Sequence, residues 1–209
     1  MTRWGFISDV HGNRPALEQA VAACRANGAE RLVYLGDLLG RGNSDACVDL
    51  VRATAALSVV GNRDLDWAER VSMNSRAYVL ALPRLAEASG FVAVHGDARL
   101  TPALGSADLR RGFGRAYGWL RGHDKRLLFF GHTHRARVWR KASLDAEPDL
   151  LGGWRVDLPA VDGTVYLVNV GTTGLPFPGK GPPCCAVYDD RASWLQHLAL
   201  TPGLRSYHS

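Results

Sequence analysis

Five short polar clusters in the first 134 residues carry side chains able to bind metal and act on phosphate. They are Asp9-Val10-His11-Gly12-Asn13, Gly36-Asp37, Gly61-Asn62-Arg63-Asp64, His95-Gly96-Asp97 and Gly131-His132-Thr133-His134. Taken singly, each has an ordinary use: a loop histidine is solvated, Asp9 caps a helix, and Gly36-Asp37 makes a turn. Brought together, Asp9, Asp37, Asn62, His11, His95, His132 and His134 would repel or shift one another's pKa values strongly. Divalent cations remove that cost, and oxygen with imidazole donors suits Mn²⁺, Fe²⁺, Zn²⁺, Co²⁺ or Ni²⁺. Seven ligands are too many for one ion that keeps an open position. Shared between two ions with one bridging carboxylate they fit, and two ions ~3.5–4 Å apart clamp phosphorus for in-line attack.

The elements between the clusters explain how they could meet. Apolar runs read as strands at Trp4–Ser8, Arg31–Leu35, Leu57–Val60, Phe91–Val94 and Leu127–Phe130, each followed by one of the clusters. Helical patterns occupy Pro15–Ala26, Ser44–Thr54 and a stretch around Asp108–Arg121. In an open α/β sheet, ligands bind beyond the carboxyl ends of the strands, so the clusters converge there. Glycine beside each cluster permits sharp turns and close approach. After His134 the pattern turns to β: Arg137–Lys141, Trp154–Leu158, Val165–Val170, Cys185–Tyr188 and Trp194–Leu198. A βαβ core with a second sheet packed on it follows, in one domain over residues 1–209, without repeat or linker.

Composition agrees with a folded, soluble chain. Of 209 residues, 46% are hydrophobic and 22% charged, which excludes intrinsic disorder. No apolar run approaches the ~20 residues of a membrane helix, and the short stretch before Asp9 does not make a secretory signal. A cytoplasmic protein is expected. The net charge is +5, and only Lys125, Lys141 and Lys180 are lysines. An arginine-rich balance suits an anionic substrate, because guanidinium binds oxyanions in a bidentate way, and it also fits a GC-rich genome. Cys24, Cys47, Cys184 and Cys185 lack metal or disulfide spacing and read as buried, reduced thiols.

In order, the clusters resemble the calcineurin-like metallophosphoesterase superfamily, whose pattern runs D-x-H, G-D, G-N-H-D/E, H and G-H-x-H. Asn169-Val170-Gly171-Thr172-Thr173-Gly174-Leu175-Pro176 is similar to the N-P-G-S-x-G-x-P segment of its small bacterial members. The resemblance runs from Asp9 to about Asp189. It implies a four-layer α-β-β-α sandwich of two mixed sheets flanked by helices. It implies two divalent metal ions, manganese ahead of iron, zinc, nickel or cobalt. Asp9, His11 and His134 would hold the first, Asp37 would bridge, and Asn62, His95 and His132 would complete the second. A hydroxide bridging the metals would be the nucleophile. Asp64 either orients its neighbours or caps the following helix.

Three features stand apart from the pattern. Arg63 occupies the place of a histidine; Arg can stabilise charge but has no proton to give at neutral pH. Arg41, in a G-D-x-x-x-R-G context like that of protein Ser/Thr phosphatases, is a candidate phosphate contact, with Asn13 and Arg63 as the other expected substrate contacts. The stretch between His134 and Val168 is longer than in compact relatives. With Arg135, Arg137, Arg140, Trp139 and Trp154, it either borders the site entrance or covers the second sheet. Along Arg110–Arg126, Phe113, Tyr117 and Leu120 share a helical face, which favours a packed amphipathic helix over a nucleic-acid patch. His123, His197 and His208 read as structural or surface residues. The expected activity is hydrolysis of a phosphodiester or activated phosphomonoester, with a nucleotide among the candidate substrates. A dinucleoside polyphosphate or phosphoprotein is the alternative substrate, and a catalytically weakened scaffold, like the retromer subunit of this fold, is the alternative class.

Overall fold

Neighbouring residues on the first strand belong to different cores: Phe6 packs between two sheets, while Ile7 packs under helices. That alternation, repeated along successive strands, builds the layers. A computed structural model of the chain describes residues 2–88, 90–96 and 106–201. Asp97 and His208, and the side chains of Arg110 and Arg111, lie outside the described residues. In chain order the elements are β1 (Arg3–Ile7), α1 (Arg14–Ala26), β2 (Arg31–Tyr34), α2 (Ser44–Thr54), β3 (Ala55–Ser58), α3 (Asn62–Trp67), α4 (Met73–Ala81), β4 (Leu85–Ala88), β5 (Phe91–Val94), α5 (Ser106–Gly122), β6 (Leu127–Phe130), β7 (Ala136–Lys141), β8 (Asp149–Leu151), β9 (Arg155–Asp157), β10 (Val165–Val170), β11 (Cys184–Asp189) and β12 (Trp194–Ala199). A 3₁₀ turn, Ala68–Arg70, joins α3 to α4.

Two mixed six-stranded sheets result, ordered β3-β2-β1-β11-β12-β9 and β4-β5-β6-β10-β7-β8. In the first, β1, β2 and β3 run parallel, and β11, β12 and β9 are added antiparallel. In the second, β5, β6 and β10 run parallel between antiparallel partners. Trp4, Phe6, Val33, Phe91, Phe129 and Val168 fill the space between the sheets, and Phe6 stacks on Phe129 with centroids 3.8 Å apart. Leu17, Ala20, Val48 and Val51 cover the outer face of the first sheet. Phe113, Ala116 and Leu120 of α5 cover that of the second. The four expected layers are therefore present, and α5 is a packed amphipathic helix.

The long stretch after His134 closes the sandwich rather than the site entrance. β8 adds to the edge of one sheet, and β9, after Gly152-Gly153, to the edge of the other. Trp139 packs on Phe113 and Phe130 at 5.5 and 6.1 Å, so it covers the second sheet. Helices start on side-chain caps: Asn13 on Ala16 N, Asn43 on Ala46 N and Ser72 on Ser75 N. The four cysteines are free and buried, and burial pushes the Cys47 and Cys184 thiols up to about 12. Among the described residues, no helix is long and apolar enough to cross a membrane.

Candidate metal centre

β1, β2 and β3 in one sheet, and β5 and β6 in the other, end at a common edge, and every cluster leaves from it. The site loops are bonded directly to one another: Asp9 N donates to Gly36 O, His11 N to Asp37 O and Gly131 N to His95 O. A Cβ on Gly131 would run into Ser8 Oγ and Asp9 Oδ2, so only glycine lets the last loop approach this closely. Among the described residues, seven non-glycine residues have positive φ. Five of them are Asp9 (55°), His11 (51°), Asp37 (52°), His132 (65°) and His134 (59°). Left-handed backbone at such residues costs on the order of 1–3 kcal/mol each and persists where surrounding structure enforces it. Here that backbone turns the side chains inward.

Two groups of ligand atoms meet at Asp37. In the first, Asp9 Oδ1 lies 3.0 Å from His134 Nε2 and 3.7 Å from His11 Nε2, and the two imidazoles approach to 3.3 Å. In the second, Asn62 Oδ1 lies 3.2 Å from His95 Nε2 and 3.0 Å from His132 Nδ1, which are 3.3 Å apart. Asp37 Oδ2 stands between, 3.8 Å from His11 Nε2 and 3.4 Å from His95 Nε2. The seven residues predicted from the clusters are thus brought together.

Four of the inward atoms are freed by a bond on the far side of their group. Asp9 Oδ2 accepts from Ser8 Oγ at 2.7 Å and His132 N at 3.0 Å. Asp37 Oδ1 accepts from Arg63 N at 2.7 Å. Nδ1–H of His95 donates to Leu35 O and that of His134 to Leu175 O, each at 2.7 Å, which presents both Nε2 lone pairs to the centre. Asp9 Oδ1 is left fully buried without a hydrogen-bond partner, despite its 3.0 Å approach to His134 Nε2. An orphaned carboxylate oxygen beside imidazole lone pairs is what a cation site requires. The charges agree. Burial opposes ionisation of Asp9, yet His11 and His134 hold its carboxyl well below the usual range. Burial also acts against a charged His95, but Asp37 and Asp9 outweigh it and raise the imidazole to about 9. His132 is lowered by its own burial and by His95. Buried negative charge thus draws a proton onto His95, and a divalent cation would replace that proton.

A family model described as the calcineurin-like phosphoesterase superfamily domain matches residues 2–192. The chain belongs to that superfamily. Its structure is similar to the crystal structure of a metallophosphoesterase from Sphaerobacter thermophilus, with a TM-score of 0.75 and 24% identity over 95% of this chain and 88% of that one. It is also similar to the structure of a phosphoesterase from E. coli, with a TM-score of 0.50 and 20% identity over 95% of this chain and 100% of that one. In sequence, 59 residues are 42% identical to an uncharacterized protein of Methanocaldococcus jannaschii. That match spans 28% of this chain and only 24% of the archaeal protein.

Around this candidate centre the remaining expected site residues divide. Asp64 is fully buried, and its carboxylate accepts from four backbone donors: Gly61 N, Asp37 N, Leu38 N and Leu39 N, at 2.7–3.0 Å. Burial and the Asp37 charge push its pKa up to about 6. It pins the Asp37 loop to the start of α3, joining both of its expected roles. Asn13 does not line the cleft: its Oδ1 caps α1, and its Nδ2 donates to Gly174 O at 3.0 Å. Arg41 and Arg63 are exposed and border, with His11, a cleft of about 320 Å³. Trp154 lies elsewhere, 46% exposed and packed edge-on to the buried His197.

Several contributors were not among the expected site residues. Trp67 and Phe177 border the same cleft. Buried Asn169 Nδ2 donates to Gly131 O and Thr133 Oγ1 at 2.7 and 2.9 Å, while Lys180 Nζ donates to Thr133 O at 3.0 Å. Both brace the His132–His134 loop. Asn169 could have been singled out from the tail motif; the other three could not.

Proposed function

We propose that this protein is a dinuclear metal-dependent hydrolase, a single domain acting on a phosphodiester or an activated phosphomonoester. The observation that carries the reading is the pair of donor groups, Asp9-His11-His134 and Asp9-Asp37-His95, that overlap at Asp9, whose Oδ1 is buried and unpartnered. Asp9, His11 and His134 would hold one ion, Asn62, His95 and His132 the other, and Asp37 would bridge. Manganese is the first candidate for these mixed carboxylate, amide and imidazole donors, ahead of iron, zinc, nickel or cobalt. Bound there, two cations supply Lewis-acid polarisation of phosphoryl oxygens and a nucleophile drawn from water at neutral pH.

The chain's own groups do the rest. Arg63 and Arg41, facing the cleft beside His11, bind non-bridging phosphate oxygens and offset the charge that grows on them. Arg63 holds no transferable proton, so the departing oxygen leaves best when its own pKa is low. Asp64 and Asn13 act by position: one fixes the Asp37 loop, the other ties the start of α1 to Gly174.

The test is metal analysis of the purified protein, then chelation and add-back of each metal against bis(p-nitrophenyl) phosphate, p-nitrophenyl phosphate, a dinucleoside polyphosphate and a phosphopeptide. Two ions per chain and metal-dependent cleavage of an aryl ester are expected. Absence of both overturns the proposal. Arg63 in place of histidine favours one other reading, an interaction scaffold; two tightly held ions with no turnover on any ester would select it.

A further inference from the structure

The cleft beside the metal centre has two walls that the clusters do not account for. One is α3. Asn62 begins it, Arg63 follows, and Trp67 stands one turn later on the same face, about 6 Å further along the axis. The other is the chain from Gly174 to Phe177. It is anchored at its base, where Gly174 N donates to Asp9 O at 2.9 Å and Leu175 O accepts from His134. Beyond that anchor Phe177 places its ring 4.9 Å from the His134 ring and remains 41% exposed. Both rings are steadied by cations of the protein itself. The Arg70 guanidinium lies 4.5 Å from the Trp67 ring centre, and Lys180 Nζ lies 4.9 Å from that of Phe177.

The cleft therefore offers imidazole and guanidinium, from His11, Arg41 and Arg63, together with the two aromatic rings. An anion that carries a flat apolar group matches that lining. We propose that Trp67 and Phe177 form a subsite for a planar ring in the substrate's ester group, so that the enzyme selects nucleoside or aryl phosphoesters over alkyl ones. This rests on the phosphoesterase reading above. A cleft of about 320 Å³ holds a mononucleotide rather than a longer strand. Stacking reads a π face and not a base edge, so purines and pyrimidines are accepted alike.

The test measures calorimetric affinities of the manganese-loaded protein for adenosine 5′-monophosphate and ribose 5-phosphate, which share phosphate and sugar and differ only in the ring. The ring is expected to strengthen binding by about 5- to 150-fold, the range that stacking of one base on aromatic side chains provides. Trp67→Leu and Phe177→Leu should each collapse that ratio toward one. The second variant changes an exposed loop residue and keeps the test valid if the first fails to fold. A wild-type ratio near one, or a ratio that neither variant alters, overturns the subsite. Hydrolysis of bis(p-nitrophenyl) phosphate is followed in parallel. Turnover without ring preference sinks the subsite alone, whereas ring preference without turnover of any ester in the panel above supports the subsite and sinks the enzymatic reading.

Discussion

Replacing Asp64 should damage this protein far more than its distance from the cleft suggests. The carboxylate accepts four backbone N–H bonds at 2.7–3.0 Å and is fully buried. Asparagine has nearly the same shape, but its single oxygen accepts two of those bonds and its NH₂ confronts the other two donors. Hydrogen bonds to a charged acceptor contribute about 1.5–3 kcal/mol each, so losing two costs roughly 3–6 kcal/mol. Against a total stability of about 5–15 kcal/mol, that is a large fraction of what keeps the protein folded at 25 °C. Three of the four donors lie on the Asp37–Leu39 loop, so metal affinity should fall as well, by about 10- to 100-fold. The assay is urea denaturation followed by circular dichroism, with manganese titration of whatever remains folded. Asp66→Asn, an exposed change on the same helix, should stay within about 0.5 kcal/mol of wild type. If Asp64→Asn lost less than about 1 kcal/mol and bound metal normally, the view of Asp64 as the pin of this loop would be wrong.

Four further outcomes are expected. Asp37→Asn should lose both activity and metal content, because the bridging carboxylate offsets the charge of two cations; an Asp37→Asn protein with two ions per chain and normal turnover would refute the ligand assignment. Arg63→Ala should slow every ester by about 10²–10³-fold without changing metal content. Arg63→His should lower the dependence of rate on leaving-group pKa, and equal slopes for it and wild type would refute the missing-proton argument. His197 is buried and donates from Nε2 to Asn169 O at 2.9 Å; its burial lowers its pKa although that bond acts the other way. The folded state thus resists a proton that the unfolded chain accepts below about pH 6.5. Its contribution is present above that pH and lost below it, so the stability gap between wild type and His197→Gln, read by urea denaturation, should narrow from pH 8 to pH 5. A constant gap would contradict it.

Residue types and spacing alone determined the core of the site. Carboxylates and imidazoles placed after successive apolar runs have to converge in an open α/β sheet, and they do, from Asp9 to His134. β5, β6, β10 and α2 begin and end where periodicity places them, because their apolar patterns are long or uninterrupted. α3, α4, β4 and β8 escaped that reading. α3 spans six residues and β8 only three, while α4 buries just Ser75 and Val79, so neither pattern nor length separates them from loop. β3 begins two residues earlier than its apolar run suggests, since pairing with β2, not hydropathy, sets its limits. The rest belongs to tertiary structure. Asn13 and Asp64 sit in the same clusters as the ligands, yet their side chains face caps and backbone donors. Trp67 and Phe177 reach one cleft from well-separated parts of the chain, and Trp139 turns to α5 rather than the entrance. Spacing along a chain reports which strand end a residue leaves from. Which way its side chain turns there depends on left-handed backbone and on partners from other loops and elements, and only the packed fold supplies both.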